Sequence, residues 1–196
     1  MNNELIKSQS MIIRNFIDEK SAKGMGEIMY QDSLKGIKSD TQVPAAHSVC
    51  NPNFGLIALC NKCFEVGNMI GENVFPTYCY SRLYKKGNVL ERHTDRIACE
   101  ISLTVHLDGD KEWPIWVQTP DGEKVSVELQ SGDALIYLGC LIPHWREAYK
   151  GNMYSQLFLH YVRSNGMGAA HYFDHNNRQL NVNYSKLEEE YQSLLT

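Results

Sequence analysis

The chain has 196 residues, which is enough for one well-packed domain and too few for two comfortable ones. Hydrophobic residues make up 43% and charged residues 21%, the composition of an ordinary soluble globular protein. The formal net charge of −4 argues against a general nucleic-acid binder, which carries a basic surface. The sequence has neither an apolar run of membrane-spanning length nor an N-terminal secretory signal, so we expect a cytoplasmic protein that does not act at a membrane.

The sequence pattern of residues 1–75 predicts helices that support the β-strand region that follows them in the chain. Met11–Ile13 predicts a short edge strand, and Asp18 is a suitable N-cap for a helix that runs to about Tyr30. Residues 31–53 are polar and turn-rich, and a second amphipathic helix is predicted over Leu56–Ile70. The side chains expected on the buried face of that helix are Leu56, Leu59, Cys60, Cys63, Phe64 and Val66.

Residues 76–163 change in character to short strands separated by turn residues. The predicted strands are Thr77–Tyr84, Ile101–Leu107, Trp113–Gln118, Lys124–Leu129, Ala134–Leu138 and Asn152–Val162. Helices followed by strands at this regular spacing predict a mainly β sandwich or barrel buttressed by N-terminal helices. We expect residues 164–196 to be a C-terminal extension with a final amphipathic helix over Tyr184–Leu195, and residues 1–196 to be a single domain.

The sharpest chemical signal is His93-Thr94-Asp95, which follows a turn and precedes a predicted strand. Side chains at i and i+2 of an extended chain point to the same side, so His93 and Asp95 can reach one metal ion. His144 follows the predicted strand Ala134–Leu138, which would bring it to the same end of a barrel. Two imidazoles and one carboxylate leave positions open on ferrous iron, although zinc hydrolases use similar ligands. A lone H-x-D triplet is also compatible with a solvated polar loop, and the strand context favours the metal.

Two competing metal sets follow from other residues. His160 is an alternative third ligand, but its place inside an apolar run is typical of a hydrogen-bonded core histidine. A zinc site could be drawn from His47, Cys50, Cys60 and Cys63, yet the second cysteine pair falls on the apolar face of a predicted helix. The six cysteines are scattered along the chain, and we expect them to be reduced thiols.

Residues 78–162 resemble the catalytic double-stranded β-helix of 2-oxoglutarate/iron(II) oxygenases, especially the prolyl 4-hydroxylase-like branch. The resemblance is carried by the run from Arg82 to Asp95, RLYKKGNVLERHTD, and by Gly132-Asp133-Ala134-Leu135 followed by His144. The opening Ile13–Ile17 with its helix is similar to the N-terminal support of that family. The resemblance implies a jelly-roll core with N-terminal helices and a C-terminal helix.

The resemblance also implies an activity. His93, Asp95 and His144 would be the metal ligands and catalytic residues of a dioxygenase that uses Fe(II), 2-oxoglutarate and O2, with ascorbate as a candidate additional requirement. The expected reaction hydroxylates an unactivated C–H bond and releases succinate and CO2. The substrate would be a prolyl residue of a peptide or protein, with a small molecule as the alternative. The sequence leaves the oligomeric state open.

One departure from the family concerns the co-substrate. Met153 stands where relatives place the arginine or lysine that grips the far carboxylate of 2-oxoglutarate, whereas Ser155 matches the serine that follows. Arg82 lies two residues before Tyr84 on the same strand and so on the same face as Tyr84, a residue that relatives use to contact the co-substrate. We therefore expect Arg82 to be the replacement. The alternative for Arg82 is a structural ion pair. The other residues expected in this subsite are Tyr84, His106, Ser155 and Arg146, with Arg163 as a further alternative.

Two rival functions remain, and the missing arginine favours the first of them. One is a jelly-roll module that has lost catalysis and binds or senses a ligand. The other is a cupin-type metal enzyme that does not use 2-oxoglutarate.

Ser102, Thr104 and His106 occupy every second position of one predicted strand and so lie on the same face. They indicate a wet pocket on that face, unless the face is simply exposed to solvent.

Overall fold

The structure is a computed structural model that describes residues 3–173. The helix predicted over Tyr184–Leu195 lies outside the described residues. Three α-helices form within them: α1 (Asn3–Ser8), α2 (Glu19–Leu34) and α3 (Asn53–Ile70). None of the helices in residues 3–173 combines the length and the apolar character that crossing a membrane requires.

Ten strands in the described residues form two antiparallel sheets that face each other as a jelly roll. They are β1 (Ser10–Ile13), β2 (His47–Cys50), β3 (Val74–Lys85), β4 (Leu90–His93), β5 (Ile101–Gly109), β6 (Ile115–Gln118), β7 (Lys124–Val127), β8 (Ala134–Tyr137), β9 (His144–Arg146) and β10 (Met153–Arg163). The larger sheet has the order β1-β8-β5-β10-β3-β2, and the smaller sheet has the order β4-β9-β6-β7. This is the double-stranded β-helix expected from the sequence.

The two faces of the larger sheet differ in chemistry because side chains alternate along each strand. On its outer face Leu103 and Leu159 pack with Ala22 of α2 and Leu59 of α3 in the main hydrophobic core. On its inner face Ser102, Thr104 and His106 are all buried within the barrel. Helices therefore cover an apolar face of the sheet, whereas the inner face carries a row of buried polar side chains on β5.

The sequence predicted the long elements and the short strands with an apolar pattern, and it missed several other short elements. Helix α2 begins at the predicted N-cap, where Asp18 Oδ1 accepts a hydrogen bond of 2.9 Å from the Ser21 N–H, and it ends four residues beyond Tyr30. Strand β1 is an edge strand of the larger sheet, as expected. Helix α1 and strands β2, β4 and β9 were not predicted.

The expected buried face of α3 is wrong in part, since Phe64 is 79% exposed and Cys60 is also exposed. The helix instead turns its small residues towards β3. A Cβ atom added at Gly55 would lie 2.7 Å from Cys79 Sγ, so the helix approaches the strand closely only through glycine. Close packing at Gly55 fixes the rotation of the helix and leaves Phe64 on its outer side.

Candidate metal centre

The three predicted metal ligands meet at one end of the barrel. β4 ends at His93 and β9 begins at His144, and the two residues lie directly opposite each other in the antiparallel pair. Asp95 follows in the loop, where its backbone N–H donates a hydrogen bond of 2.8 Å to the Gly139 carbonyl. One ligand atom from each of the three side chains lies within 4.8 Å of the other two, close enough to share one metal ion.

Backbone carbonyl groups fix the tautomers of both histidines. His93 Nδ1 lies 2.7 Å from the Glu91 carbonyl, and His144 Nδ1 lies 3.1 Å from the Ile142 carbonyl. A carbonyl only accepts, so each Nδ1 carries the hydrogen and each Nε2 keeps its lone pair for a metal. The two Nε2 atoms lie 3.6 Å and 3.7 Å from Asp95 Oδ1.

The electrostatics place Asp95 in the anionic state that a metal ligand needs. Burial opposes its charge, but His144 and His93 hold the pKa of Asp95 down to about 2. Ser102 Oγ donates a hydrogen bond of 2.9 Å to Asp95 Oδ2, which leaves Oδ1 towards the histidines. Burial lowers the pKa of His144. A charged carboxylate and histidines with directed lone pairs fit a divalent cation such as Fe(II).

His160 lies nearby but belongs to a second set. Its imidazole, the Asp95 carboxylate and the Cys99 thiol also have ligand atoms within 4.8 Å of one another. His160 Nδ1 contacts Ser102 Oγ at 3.0 Å, and burial lowers the pKa of His160 to about 4. The sets identified in residues 3–173 contain none of the four residues of the alternative zinc site.

A cavity of about 610 Å³ opens beside the three ligands. Its walls come from the inner face of β3 and β10, including Tyr80 and Phe158, and from the loop that contains Asp40 and Gln42. The Gln42 side-chain amide nitrogen lies 3.0 Å from His93 Nε2. The polar loop before β2, which carried no sequence signal, therefore covers part of the metal centre.

Arg82 is buried in this cavity, and its charge is already paired. Its Nη2 donates hydrogen bonds of 2.6 Å to Asp40 Oδ2 and 2.9 Å to Gln42 Oε1. Its Nη1 donates a hydrogen bond of 3.2 Å to the Tyr84 hydroxyl. Tyr84 is fully buried inside the barrel, as expected. The ion pair that we held as the alternative for Arg82 is present.

Arg146 also lines the cavity, but its surroundings are different. It is 1% exposed, and its Nη1 donates a hydrogen bond to the Trp113 carbonyl. The guanidinium lies over the rings of Trp113 and Tyr154, at 4.9 Å and 5.2 Å from their centroids. Its buried Nη2 has no hydrogen-bond partner among the described residues.

The remaining predicted co-substrate residues are divided between the two faces of the larger sheet. The His106 ring points inward and stacks on Tyr154 at a centroid distance of 4.2 Å. Ser155 lies on the outer face towards α2, where its Oγ would be 3.0 Å from a Cβ atom added at Gly26. The expected contact of Ser155 with the co-substrate is therefore corrected, because alternation along β10 turns it away from the cavity.

Two further residues, Arg163 and Gln156, bear on where the co-substrate could bind. Arg163 Nε pairs with Glu100 at 2.9 Å, and Arg163 is absent from the residues that line the cavity. Sequence reasoning missed Gln156, which lies on the inner face of β10 and accepts a hydrogen bond from the Thr104 hydroxyl. Alternation from Tyr154 would have predicted that position.

No protein-family model matches the sequence, and a search of curated proteins finds no match. Solved structures do match. A prolyl-4-hydroxylase from Pseudomonas putida superimposes with a TM-score of 0.68 and 14% identity, over 82% of this chain and 96% of that chain. A prolyl hydroxylase from Trichoplax adhaerens, in complex with a hypoxia inducible factor peptide fragment, gives a TM-score of 0.65 and 14% identity over 83% and 87% of the two chains.

HygX from Streptomyces hygroscopicus, with nickel and 2-oxoglutarate bound, is similar with a TM-score of 0.65 and 9% identity over 83% and 85% of the two chains. The chain therefore has the fold of 2-oxoglutarate/iron(II) oxygenases, and its structural neighbours include the prolyl 4-hydroxylase branch. The fold-level resemblance inferred from the sequence is confirmed.

Proposed function

We propose that this protein is a 2-oxoglutarate- and Fe(II)-dependent dioxygenase that hydroxylates an unactivated C–H bond. The observation that carries the proposal is the set of His93, Asp95 and His144, whose ligand atoms converge at the mouth of a cavity in this fold. The three ligands would hold iron on one side and leave its other positions facing the cavity. Bound iron would supply the redox chemistry that converts 2-oxoglutarate and O2 to succinate and CO2.

Other residues of the chain would orient the metal ligands and shape the cavity. The carbonyl groups of Glu91 and Ile142 keep the two histidines in the ligating tautomer. Tyr80 and Phe158 provide apolar walls that limit water in the cavity. A prolyl residue of a peptide or protein is the substrate class that we propose, because the Trichoplax enzyme of the same fold is described with a peptide. A small molecule is the alternative substrate.

The test of the metal centre compares two histidines that face the same cavity. His144→Ala should lose Fe(II) binding and turnover, because one of three ligands is removed, whereas His160→Ala should still bind iron. Metal content after anaerobic loading and desalting gives the answer directly. Loss of iron in His160→Ala with retention in His144→Ala would identify the second set as the metal site.

The test of the reaction is the release of succinate from 2-oxoglutarate in the presence of Fe(II) and O2, with and without ascorbate. Zinc should bind and give no succinate, because it has no redox step. A module that has lost catalysis would release no succinate with any substrate. A cupin-type enzyme would consume O2 and a substrate without needing 2-oxoglutarate.

A further inference from the structure

Arg146 is a buried cation without an anion. Three arginines of the described chain are buried: Arg82, Arg146 and Arg163. Arg82 pairs with Asp40, and Arg163 pairs with Glu100. Within residues 3–173 no carboxylate pairs with Arg146, although it is 1% exposed. An unpaired charge in a protein interior is strongly unfavourable, so this position calls for a negatively charged ligand.

The atoms around Arg146 also indicate a binding site for an anion. Arg146 Nη2 and Gln156 Nε2 are both buried hydrogen-bond donors without an acceptor in the described residues. The Thr104 hydroxyl donates to Gln156 Oε1 and so fixes which end of the amide remains free. The Arg146 guanidinium lies over the Tyr154 ring, 5.2 Å from its centroid, and Gln156 follows Tyr154 by two residues on the inner face of β10, so both side chains lie beside one phenol. Two adjacent unsatisfied donors and a positive charge suit a carboxylate.

The backbone places Arg146 beside the metal centre, on the strand that carries His144. Arg146 lies two residues after His144 on β9, and both side chains are buried on the same face of the strand. Two residues of a strand span roughly 6.6 Å, so the guanidinium lies deeper in the barrel on the side of the metal ligands. A 2-oxo diacid that chelates the metal through its oxo-carboxylate end would extend its other carboxylate into that space.

We propose that Arg146, with the Gln156 amide, binds the far carboxylate of the 2-oxo acid, and that this contact selects a diacid over a monoacid. The proposal rests on the proposed function. It moves the anchor from β10, where Met153 stands, to β9, and it assigns Arg82 a different task. Asp40 already neutralises Arg82, so a further carboxylate there would meet a cation whose charge is paired.

The experiment measures binding rather than turnover. Protein loaded with Mn(II) is titrated by calorimetry with 2-oxoglutarate and with 2-oxopentanoate, which has the same carbon chain and a methyl group in place of the far carboxylate. Wild-type protein should bind 2-oxoglutarate more tightly. Arg146→Met should raise its Kd for 2-oxoglutarate at least about tenfold, the scale of one charge-assisted contact, with little change for 2-oxopentanoate. The Kd of Arg146→Lys for 2-oxoglutarate should lie between those of the wild type and Arg146→Met, because lysine keeps the charge.

The outcomes separate the anchor from the proposed function. Arg82→Met should keep the preference for the diacid even if both acids bind more weakly. Binding of 2-oxopentanoate by Arg146→Met shows that the variant is folded and its metal site intact. An unchanged preference in both Arg146 variants, or its loss in Arg82→Met alone, would overturn the assignment. Failure of the Mn(II)-loaded wild type to bind either acid would remove the proposed function, and the anchor with it.

Discussion

Asp40 lies in the loop before β2 and accepts four hydrogen bonds, two of them from β3. Its carboxylate accepts from Arg82 Nη2, the Tyr80 hydroxyl, Ser48 Oγ and the Val43 N–H, at distances of 2.5–2.8 Å. Burial opposes the charge of Asp40, but these donors hold its pKa well below the usual range. The carboxylate therefore stays ionised and neutralises an arginine that would otherwise be buried with its charge unpaired.

Removing this partner should be costly. Asp40→Ala should lower the free energy of unfolding by about 3 kcal/mol, the lower end of the loss when one member of a buried ion pair is removed. Lys23→Gln is the matched control, because Lys23 pairs with Glu19 at 2.6 Å on the exposed surface. That variant should lose little or no stability, because an exposed ion pair contributes little. Urea denaturation of both variants measures the difference, and equal losses would contradict the structural role of Asp40.

The metal ligands could be predicted from the sequence, whereas the partners of the buried arginines could not. His93, Asp95 and His144 could be selected because their residue types and spacing carry metal chemistry. The pairing of Arg82 could not be predicted, because Asp40 lies 42 residues earlier in a loop without periodicity. The contrast between Arg82 and Arg146 depends on which carboxylates the fold brings near, and no local pattern encodes that.

Helix α2 contacts the larger sheet through a glycine. A Cβ atom added at Gly26 would lie 2.8 Å from Asp108 Cβ and 3.0 Å from Ser155 Oγ. At Gly24, two residues earlier on the exposed side, nothing lies within 4 Å of an added Cβ. The same helix therefore contains one glycine that packing requires and one that packing does not.

The two glycines should respond to alanine in opposite directions. Gly24→Ala should raise the free energy of unfolding by roughly 0.5–1 kcal/mol, because alanine loses less backbone entropy in a helix. Gly26→Ala should lower it by about 1–3 kcal/mol, because the added methyl group forces the helix away from the sheet. Thermal or urea unfolding measures both changes. A gain in stability for Gly26→Ala would mean that the helix can shift without loss.

The pattern of apolar residues decides which parts of the fold could be predicted. The long strands β3, β5 and β10 show alternation over many residues and were predicted. The strands that carry the histidine ligands, β4 and β9, have four and three residues and are mostly polar. They lack the apolar run that made the equally short β1, β6 and β8 predictable. They become strands because the smaller sheet pairs them, which is a property of the assembled barrel.

The metal centre joins segments that are distant in sequence, so a bound ion should stabilise the whole molecule. Mn(II) at about 100 times its Kd should raise the free energy of unfolding by about 2.7 kcal/mol if it binds only the folded state. His93→Ala should abolish this gain, and His160→Ala should keep it. The shift of the urea midpoint on adding Mn(II) reports the effect, and an equal gain in His93→Ala would place the ion elsewhere.

The order of strands in the larger sheet has a consequence for how the chain folds. β10 lies between β3 and β5, so the strand that is made last among the described ones occupies an interior position. β1 pairs with β8 across more than a hundred residues of sequence. In a sheet built from such distant pairings, the chain loses the entropy of closing long loops before the strand contacts can stabilise it. Domains of this kind typically fold in milliseconds to seconds. A nascent chain that stops before Met153 leaves the edges of β3 and β5 unpaired and open to aggregation, so the synthesis of β10 protects both edges.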